Sequence, residues 1–246
     1  QAPGLYEAFG TEDFDDLYLK YEADKTIPKK TVAAQDLFGD LLKERAETGR
    51  IYIMNLDHCN SHSSFKDKVS MSNLCQEITL PTTPIQDIHD DQGEIALCIL
   101  SAINVGGLTD LGELESICDL AVRALEQIID YQDYPVKAAE VSTKKRRSLG
   151  IGYIGLAHYL AKHGVKYSDP KAWDLVDRLS EAFQYHLLRA SCNIAMEKGK
   201  CEGFDRTKYA DGLLPIDHYK KDVDKIVPHK QRMAWESLRK DIAKHG

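Results

Sequence analysis

Apolar residues recur along this chain at two periods, and the places where the period changes mark out its elements. Residues 12–23 and 31–48 predict helices. The second carries Val32, Leu37, Phe38, Leu41 and Leu42 on one side, with Gly49 placed to end it. Arg50 to Asn55 alternates like a short strand, 56–71 is polar and loop-like, and 73–80 reads as extended up to Pro81 and Pro84. From Glu94 to Ile103 the chain is almost continuously apolar, which predicts a strand buried on both faces, as in parallel sheets. Leu111, Leu114, Ile117, Ala121, Leu125 and Ile128 then predict a helix over 110–131 packed on that strand. Residues 149–163 predict a short turn and another helix. Asp169 and Pro170 form an N-cap and first-turn pair, after which Trp173, Val176, Leu179, Phe183, Leu187, Ala190 and Ile194 keep helical spacing to Gly199. That helix, about 30 residues or about 45 Å long, exceeds what a small isolated domain needs and points to a larger assembly. A last helix is predicted over 230–245, around Trp235 and Leu238. Strands alternating with helices predict an α/β fold.

Composition narrows the function. With 246 residues the chain forms one large domain or two small ones, and either buries a core. A net charge of -7 argues against coating nucleic acid. The one dense basic run, Lys144-Lys145-Arg146-Arg147, reads as a solvated turn before the next element, with a phosphate contact as the alternative. Cysteines stand at 59, 75, 98, 118, 192 and 201 without a C-x-x-C pair, which fits a reducing cytoplasm better than a disulfide-stapled secreted module. Cys118 and Cys192 fall at core-facing helix positions and read as inert packing. No signal peptide is visible, although the chain opens on Gln1 rather than Met. The longest apolar stretch, Ile95 to Ile103, is too short to span a bilayer.

Three motifs carry candidate chemistry. In Ser72-Asn73-Leu74-Cys75-Gln76-Glu77-Ile78 an amide, a thiol and a carboxylate occupy every second position. In an extended segment Asn73, Cys75 and Glu77 share one face, in a row roughly 13 Å long. That trio suits chemistry on a polyol such as a sugar; the plain alternative is a strand with a buried Cys and two polar edge residues. Gly150-x-Gly152-x-x-Gly155 matches a dinucleotide fingerprint in letters, but the basic approach Lys-Lys-Arg-Arg-Ser-Leu lacks the apolar strand such a site needs. Glycines permitting close packing at a strand-to-helix turn explain it as well. His58-Cys59-x-x-His62 offers three metal ligands with no obvious fourth, so no metal is assigned.

Several longer strings resemble the large, catalytic subunit of class I (aerobic) ribonucleotide reductase, closest to the bacterial and phage diphosphate-reducing type. They are GRIYIMNLDHCNSHS at 49–63, SNLCQEI at 72–78, GEIALCILSAIN at 93–104, DYQDYP at 130–135 and RRSLGIG at 146–152. The likeness runs over essentially the whole chain. It implies part of a ten-stranded α/β barrel of two parallel five-stranded halves, with a finger loop at 72–78 through its centre. On that basis 1–246 is a partial catalytic barrel domain: a helical lead-in over 1–49, strands and finger loop over 50–104, and a helix-rich second part over 105–246. The resemblance makes Cys75 the cysteine that becomes a thiyl radical and takes the ribose 3′-hydrogen. It makes Glu77 the acceptor of the 3′-hydroxyl proton, Asn73 the group that hydrogen-bonds the sugar, and Cys98 one of two cysteines that end as a disulfide. Asn73, Leu74, Cys75, Gln76, Glu77 and Leu100 become substrate contacts, with Leu74, Ile78, Leu97 and Leu100 as apolar lining.

The same resemblance implies ribonucleoside diphosphate reduction for DNA precursor synthesis, in the cytoplasm, or a host's cytoplasm if the source is viral. No cofactor is implied within this chain. The radical would come from a metal centre in a small partner subunit. ATP or deoxynucleotide effectors would bind in parts of the family chain outside this one. Other implied partners are the remainder of the large subunit, a second large subunit, and thioredoxin or glutaredoxin; nucleic acid and membrane are not implied. The family's other reducing cysteine lies upstream, and Trp235-Glu-Ser-Leu238 begins a signature that Gly246 interrupts. The chain is therefore expected to be an internal piece that does not turn over alone, with sheet edges and apolar surface exposed where the rest docks.

Overall fold

The computed structural model describes residues 2–226 and 230–246. The chain divides into two compact units: one holds the residues up to Ser63 together with Lys68–Pro81, the other Ser64–Asp67 together with Thr82–Gly246.

In the first unit, helices α1 (Leu5–Ala8), α2 (Asp13–Ala23), α3 (Ala34–Thr48) and α4 (Leu56–His62) follow one another. Asp13, Asp15 and Asp16 place negative charge in the first turn of α2, where the helix dipole favours it. Gly49 ends α3 as expected, in the left-handed conformation at φ 65, with its N–H donating to Arg45 O at 2.9 Å. The apolar side of α3 is uncovered: Val32 before it and Leu37, Phe38 and Leu42 within it are all exposed. Among the described residues only Leu56, Val69 and Pro81 of this unit are buried.

Two expectations fail here. Residues 50–55 form no strand, because an alternating pattern needs a partner ladder to become one and none lies beside it among the described residues. Residues 56–62 are helix rather than loop. Asn60 fixes that helix by donating to Leu56 O and Val69 O, both at 2.9 Å, and by accepting from Val69 N at 2.8 Å. A run of polar residues hides such a helix from hydrophobic periodicity.

The second unit is built around two parallel strands, β1 (Ile99–Asn104) and β2 (Leu149–Ile154), paired from Ile99 with Leu149 to Asn104 with Ile154. Between them run α5 (Leu114–Tyr131) and α6 (Lys137–Arg146); after them come α7 (Leu156–Lys162), α8 (Pro170–Lys198) and α9 (Trp235–His245). One sheet face packs into the core. Ile103, Ile151 and Tyr153 join Leu114, Cys118, Leu179 and Phe183, with the Tyr153 and Phe183 rings edge-to-face at 5.3 Å. The other face is open, with Leu100, Ala102, Gly152 and Ile154 exposed.

This corrects three readings. The apolar run at 94–103 is not a strand buried on both faces: β1 starts only at Ile99, and Glu94 instead pairs with Thr83 across an antiparallel bridge, N–H to O at 3.0 Å each way. The turn expected after 149 is strand β2, since Leu149, Ile151 and Tyr153 alternate into the core while glycines fill the open face. In α5 the buried stripe runs through Leu114, Cys118, Val122, Leu125 and Ile129, while Ile128 is exposed.

The long helix arrives as predicted. α8 has 29 residues, follows Asp169-Pro170 and stops at Gly199. The Asp169 carboxylate, however, accepts from Lys166 N rather than capping the helix, whose Ala172 N–H is taken by the Asp169 backbone carbonyl at 2.8 Å. Against α8 packs α9, with Cys192, Phe204, Leu214, Trp235, Leu238 and Ile242 forming a second core. Buried Glu181 anchors the approach to α9 by accepting from Arg232 N at 2.6 Å, Met233 N at 3.1 Å and Trp235 Nε1 at 3.0 Å.

The basic run is not a solvated turn. Lys144, Lys145 and Arg146 form the last turn of α6, and Arg146 is buried. Its guanidinium binds Glu94 and, at 2.8 Å, Asp67; Lys145 reaches Glu94 at 2.6 Å, and Arg206 also pairs with Asp67. Arg147 turns the chain at φ 48 and pairs with Glu126 and Asp130. Burial alone would raise the Glu94 and Asp67 carboxyls, but their hydrogen bonds to Arg146 and neighbouring cations outweigh it and hold both below the usual carboxylate range. The run is thus an internal clamp.

Candidate active site

The segment 72–78 is a turn, not an extended row. Gln76 N–H donates to Asn73 O at 3.1 Å, and Gln76 takes φ 60. That left-handed value costs a non-glycine residue roughly 1–2 kcal/mol, so side-chain bonds must hold it. Asn73 supplies them: Oδ1 accepts from Ile78 N at 3.0 Å, and Nδ2 donates to Glu77 Oε1 at 2.5 Å. Ser72 Oγ donates to Ile78 O at 2.8 Å.

The correction has a physical cause. Asn and Ser side chains compete with strand ladders by bonding nearby backbone, and no neighbouring strand is available to win that competition among the described residues. As a result Asn73 and Glu77, about 13 Å apart in an extended chain, are in direct hydrogen bond. Cys75 lies between them in the turn and is exposed, as are Asn73, Leu74 and Glu77, while Gln76 and Ile78 are half-buried. The turn presents an accessible thiol flanked by a carboxylate whose one oxygen is held by an amide. Asn73 in a turn-opening position was the signal that could have revealed this geometry.

Cys98 belongs to the second unit and is half-buried just ahead of β1, with Sγ 3.9 Å from Ile99 O. Leu97 and Leu100 are exposed near it, Leu100 on the open sheet face. Cys118 and Cys192, by contrast, are fully buried on α5 and α8, and burial pushes the Cys118 thiol up to about 11. They are packing groups, as their positions suggested.

The glycine motif sits in the wrong place for a dinucleotide. Gly150 and Gly152 are strand residues paired with Leu100 and Ala102, whereas a fingerprint turn begins after its strand. Gly155, at φ 79, precedes α7, and a Cβ there would lie 2.3 Å from Asn104 Oδ1. Close packing at a strand-to-helix turn is what Gly155 does. His58, Cys59 and His62 lie on α4, where His62 Nδ1 is 3.0 Å from His58 O. Among the described residues no group of three or more His, Cys, Asp or Glu side chains is placed to hold a metal ion.

The chain as a whole is similar to known proteins. The family described as ribonucleotide reductase, barrel domain, matches residues 1–246. The chain is 57% identical to ribonucleoside-diphosphate reductase subunit alpha of Haemophilus influenzae, over 99% of this chain and 33% of that protein. It is 53% identical to ribonucleoside-diphosphate reductase 1 subunit alpha of Escherichia coli, with the same coverage. Against the alpha subunit of Enterobacteria phage T4 the identity is 39%, over 98% of this chain and 32% of the relative. The chain thus spans about one third of the length of these relatives.

Proposed function

The chain belongs to the ribonucleotide reductase barrel-domain family, and on that premise we propose that it carries the radical chemistry of a ribonucleoside-diphosphate reductase. The observation that carries the reading is local: one turn holds Cys75 between Asn73 and Glu77, whose side chains are hydrogen-bonded to each other. Cys75, as a thiyl radical, takes the 3′-hydrogen of the ribose and returns it to C3′ as the product forms, which regenerates the radical, while the proton taken by Glu77 goes back to the 3′-oxygen. Glu77 accepts the 3′-hydroxyl proton, and Asn73 orients both carboxylate and sugar, since its amide donates and accepts at once. Cys98 and a second cysteine from outside this chain give two electrons and two protons. The 2′-hydroxyl leaves as water, a C2′–H bond forms, and the two thiols become a disulfide. Leu74, Gln76 and Leu100 contact the substrate, and Ile78 and Leu97 add apolar lining.

The radical is supplied by a metal centre in a small partner subunit; no cofactor is held by this chain. The fold we propose is part of a ten-stranded barrel with 72–78 as its finger loop, within one partial catalytic domain: lead-in 1–49, strands and finger 50–104, helix-rich part 105–246. The outer edges of β1 and β2 and the uncovered apolar residues of α3 suit docking of the remaining polypeptide. A closed interior would shield a thiyl radical from solvent. A second large subunit, thioredoxin or glutaredoxin, and nucleotide effectors bound outside this chain complete the proposed set, in the cytoplasm. No described helix is long and apolar enough to cross a membrane.

The test is Cys75→Ser in the full-length large subunit, assayed with its small subunit for deoxynucleotide formation. Turnover is expected to vanish while the thermal unfolding profile is unchanged, because serine replaces one sulfur by an oxygen at nearly constant volume. Substantial turnover by the variant would end the reading.

A further inference from the structure

Gly150 stands beside two residues that the proposed chemistry uses, Leu100 on β1 and Cys98 just ahead of it. In register it pairs with Leu100. A Cβ built on Gly150 would lie 2.8 Å from Cys98 Sγ and 2.6 Å from Leu100 Cδ2. Both distances are shorter than real Cβ contacts, so a side chain at 150 would make the Cys98 sulfur and the Leu100 methyl, each the movable end of its side chain, shift from where they now lie. Two residues on, the same strand gives a built-in contrast: among the described residues nothing lies within 4 Å of a Cβ on Gly152. Neither glycine has a positive φ, so conformational freedom does not explain Gly150.

We infer that Gly150 is a positioning residue for Cys98, its missing side chain being the space that lets the thiol point across the open sheet face. The inference rests on the reading of Cys98 as a redox cysteine. Side chains choose among three staggered wells, and a methyl at 150 removes the one the sulfur now occupies. The sulfur is then driven to another well, away from the position from which it meets C2′ and the second cysteine. Leu100, on the same face, shares the cavity and is displaced with it.

The experiment uses the full-length large subunit, reduced beforehand and mixed with its small subunit and ribonucleoside diphosphate without external reductant. Deoxynucleotide formed per subunit, KM, and the alkylation rate of Cys98 mapped by mass spectrometry are read for Gly150→Ala, Gly152→Ala, Leu100→Ala and the Gly150→Ala/Leu100→Ala pair. Since a misplacement of about 1 Å can cost about 100-fold in rate, Gly150→Ala is expected to slow product formation at least about tenfold. KM should change far less, Cys98 alkylation should shift, and Gly152→Ala should stay near wild type. Adding Leu100→Ala to Gly150→Ala removes the aliphatic conflict and leaves the sulfur conflict, so activity beyond that of Leu100→Ala alone should not return.

Wild-type turnover by Gly150→Ala would overturn the inference, as would an equal loss in Gly152→Ala or recovery in the double variant. If Gly150→Ala does not fold, the double variant carries the test; failure of both to fold would assign Gly150 to the sheet alone. Cys98→Ser separates the two levels. Full turnover by that variant ends the redox reading of Cys98 itself, whereas a dead Cys98→Ser beside a normal Gly150→Ala ends only the positioning role.

Discussion

The turn around Cys75 and the strand around Cys98 hold their thiols by opposite means. The turn depends on side chains: Asn73 and Ser72 bind backbone and carboxylate within six residues, and only three described residues of its whole unit are buried. The strand depends on backbone and core. β1 is tied to β2 along six paired residues, backed by α5 and α8, and clamped at its approach by Glu94 on buried Arg146. The two thiols are thus held at different ranges, one by neighbours in sequence and the other by residues about 50 positions away.

Substitutions in the full-length subunit should separate these two regimes by size. The largest loss is expected from Arg146→Met. It leaves Glu94 and Asp67 buried without their main partner, and breaking a buried pair from one side costs about 3–5 kcal/mol. Chemical denaturation at neutral pH checks it; a change below about 1 kcal/mol would show that the clamp is not what holds the β1 approach.

Acid should act through the same carboxylates. Glu94 and Asp67 have folded-state values below their ordinary 4.5 and 3.8. Their contribution is therefore complete above those ordinary values and is lost as pH falls through the depressed folded ones. In Arg146→Met burial acts on Glu94 with less opposition, so the acid-sensitive range should move to higher pH. Stability curves from pH 7 down to 2 for both proteins would show the displacement or its absence.

A smaller effect, about 1–3 kcal/mol, is expected from Gly155→Ala. The left-handed φ and the conflict with Asn104 Oδ1 act together at the entry to α7. Thermal unfolding measures it, with Gly152→Ala as the strand reference. The smallest change in stability should come from Asn73→Ala, within about 0.5 kcal/mol because the turn is exposed, even as turnover falls. A loss of stability as large as that of Arg146→Met would contradict the division between the two regions.

Much was legible in the sequence. α2, α3, α5, α8 and α9 followed from helical spacing and from Gly49, Pro170 and Gly199 as punctuation. The trio Asn73, Cys75 and Glu77 stood out by residue type, and buried Cys118 and Cys192 by their place on apolar helix faces. Missed were α4, because its residues are polar, and β2, because glycines at 150 and 152 imitate a turn. The basic run misled most: charge density reads as solvent, yet Arg146 is buried against acids 52 and 79 residues away.

The sequence by itself determined the elements whose signals are local, namely periodic apolar residues, caps and breakers, and it singled out the candidate groups at 73, 75, 77 and 98. Only the tertiary structure decided which face of β1 opens, that residue 150 lies beside the Cys98 sulfur, and which carboxylates neutralise Arg146. Those depend on residues distant in the chain meeting in space, and no short-range pattern encodes which distant partner will arrive. The bend that joins Asn73 to Glu77 lies between the two: its bonds are local, but it forms only where no strand pairs with 73–78.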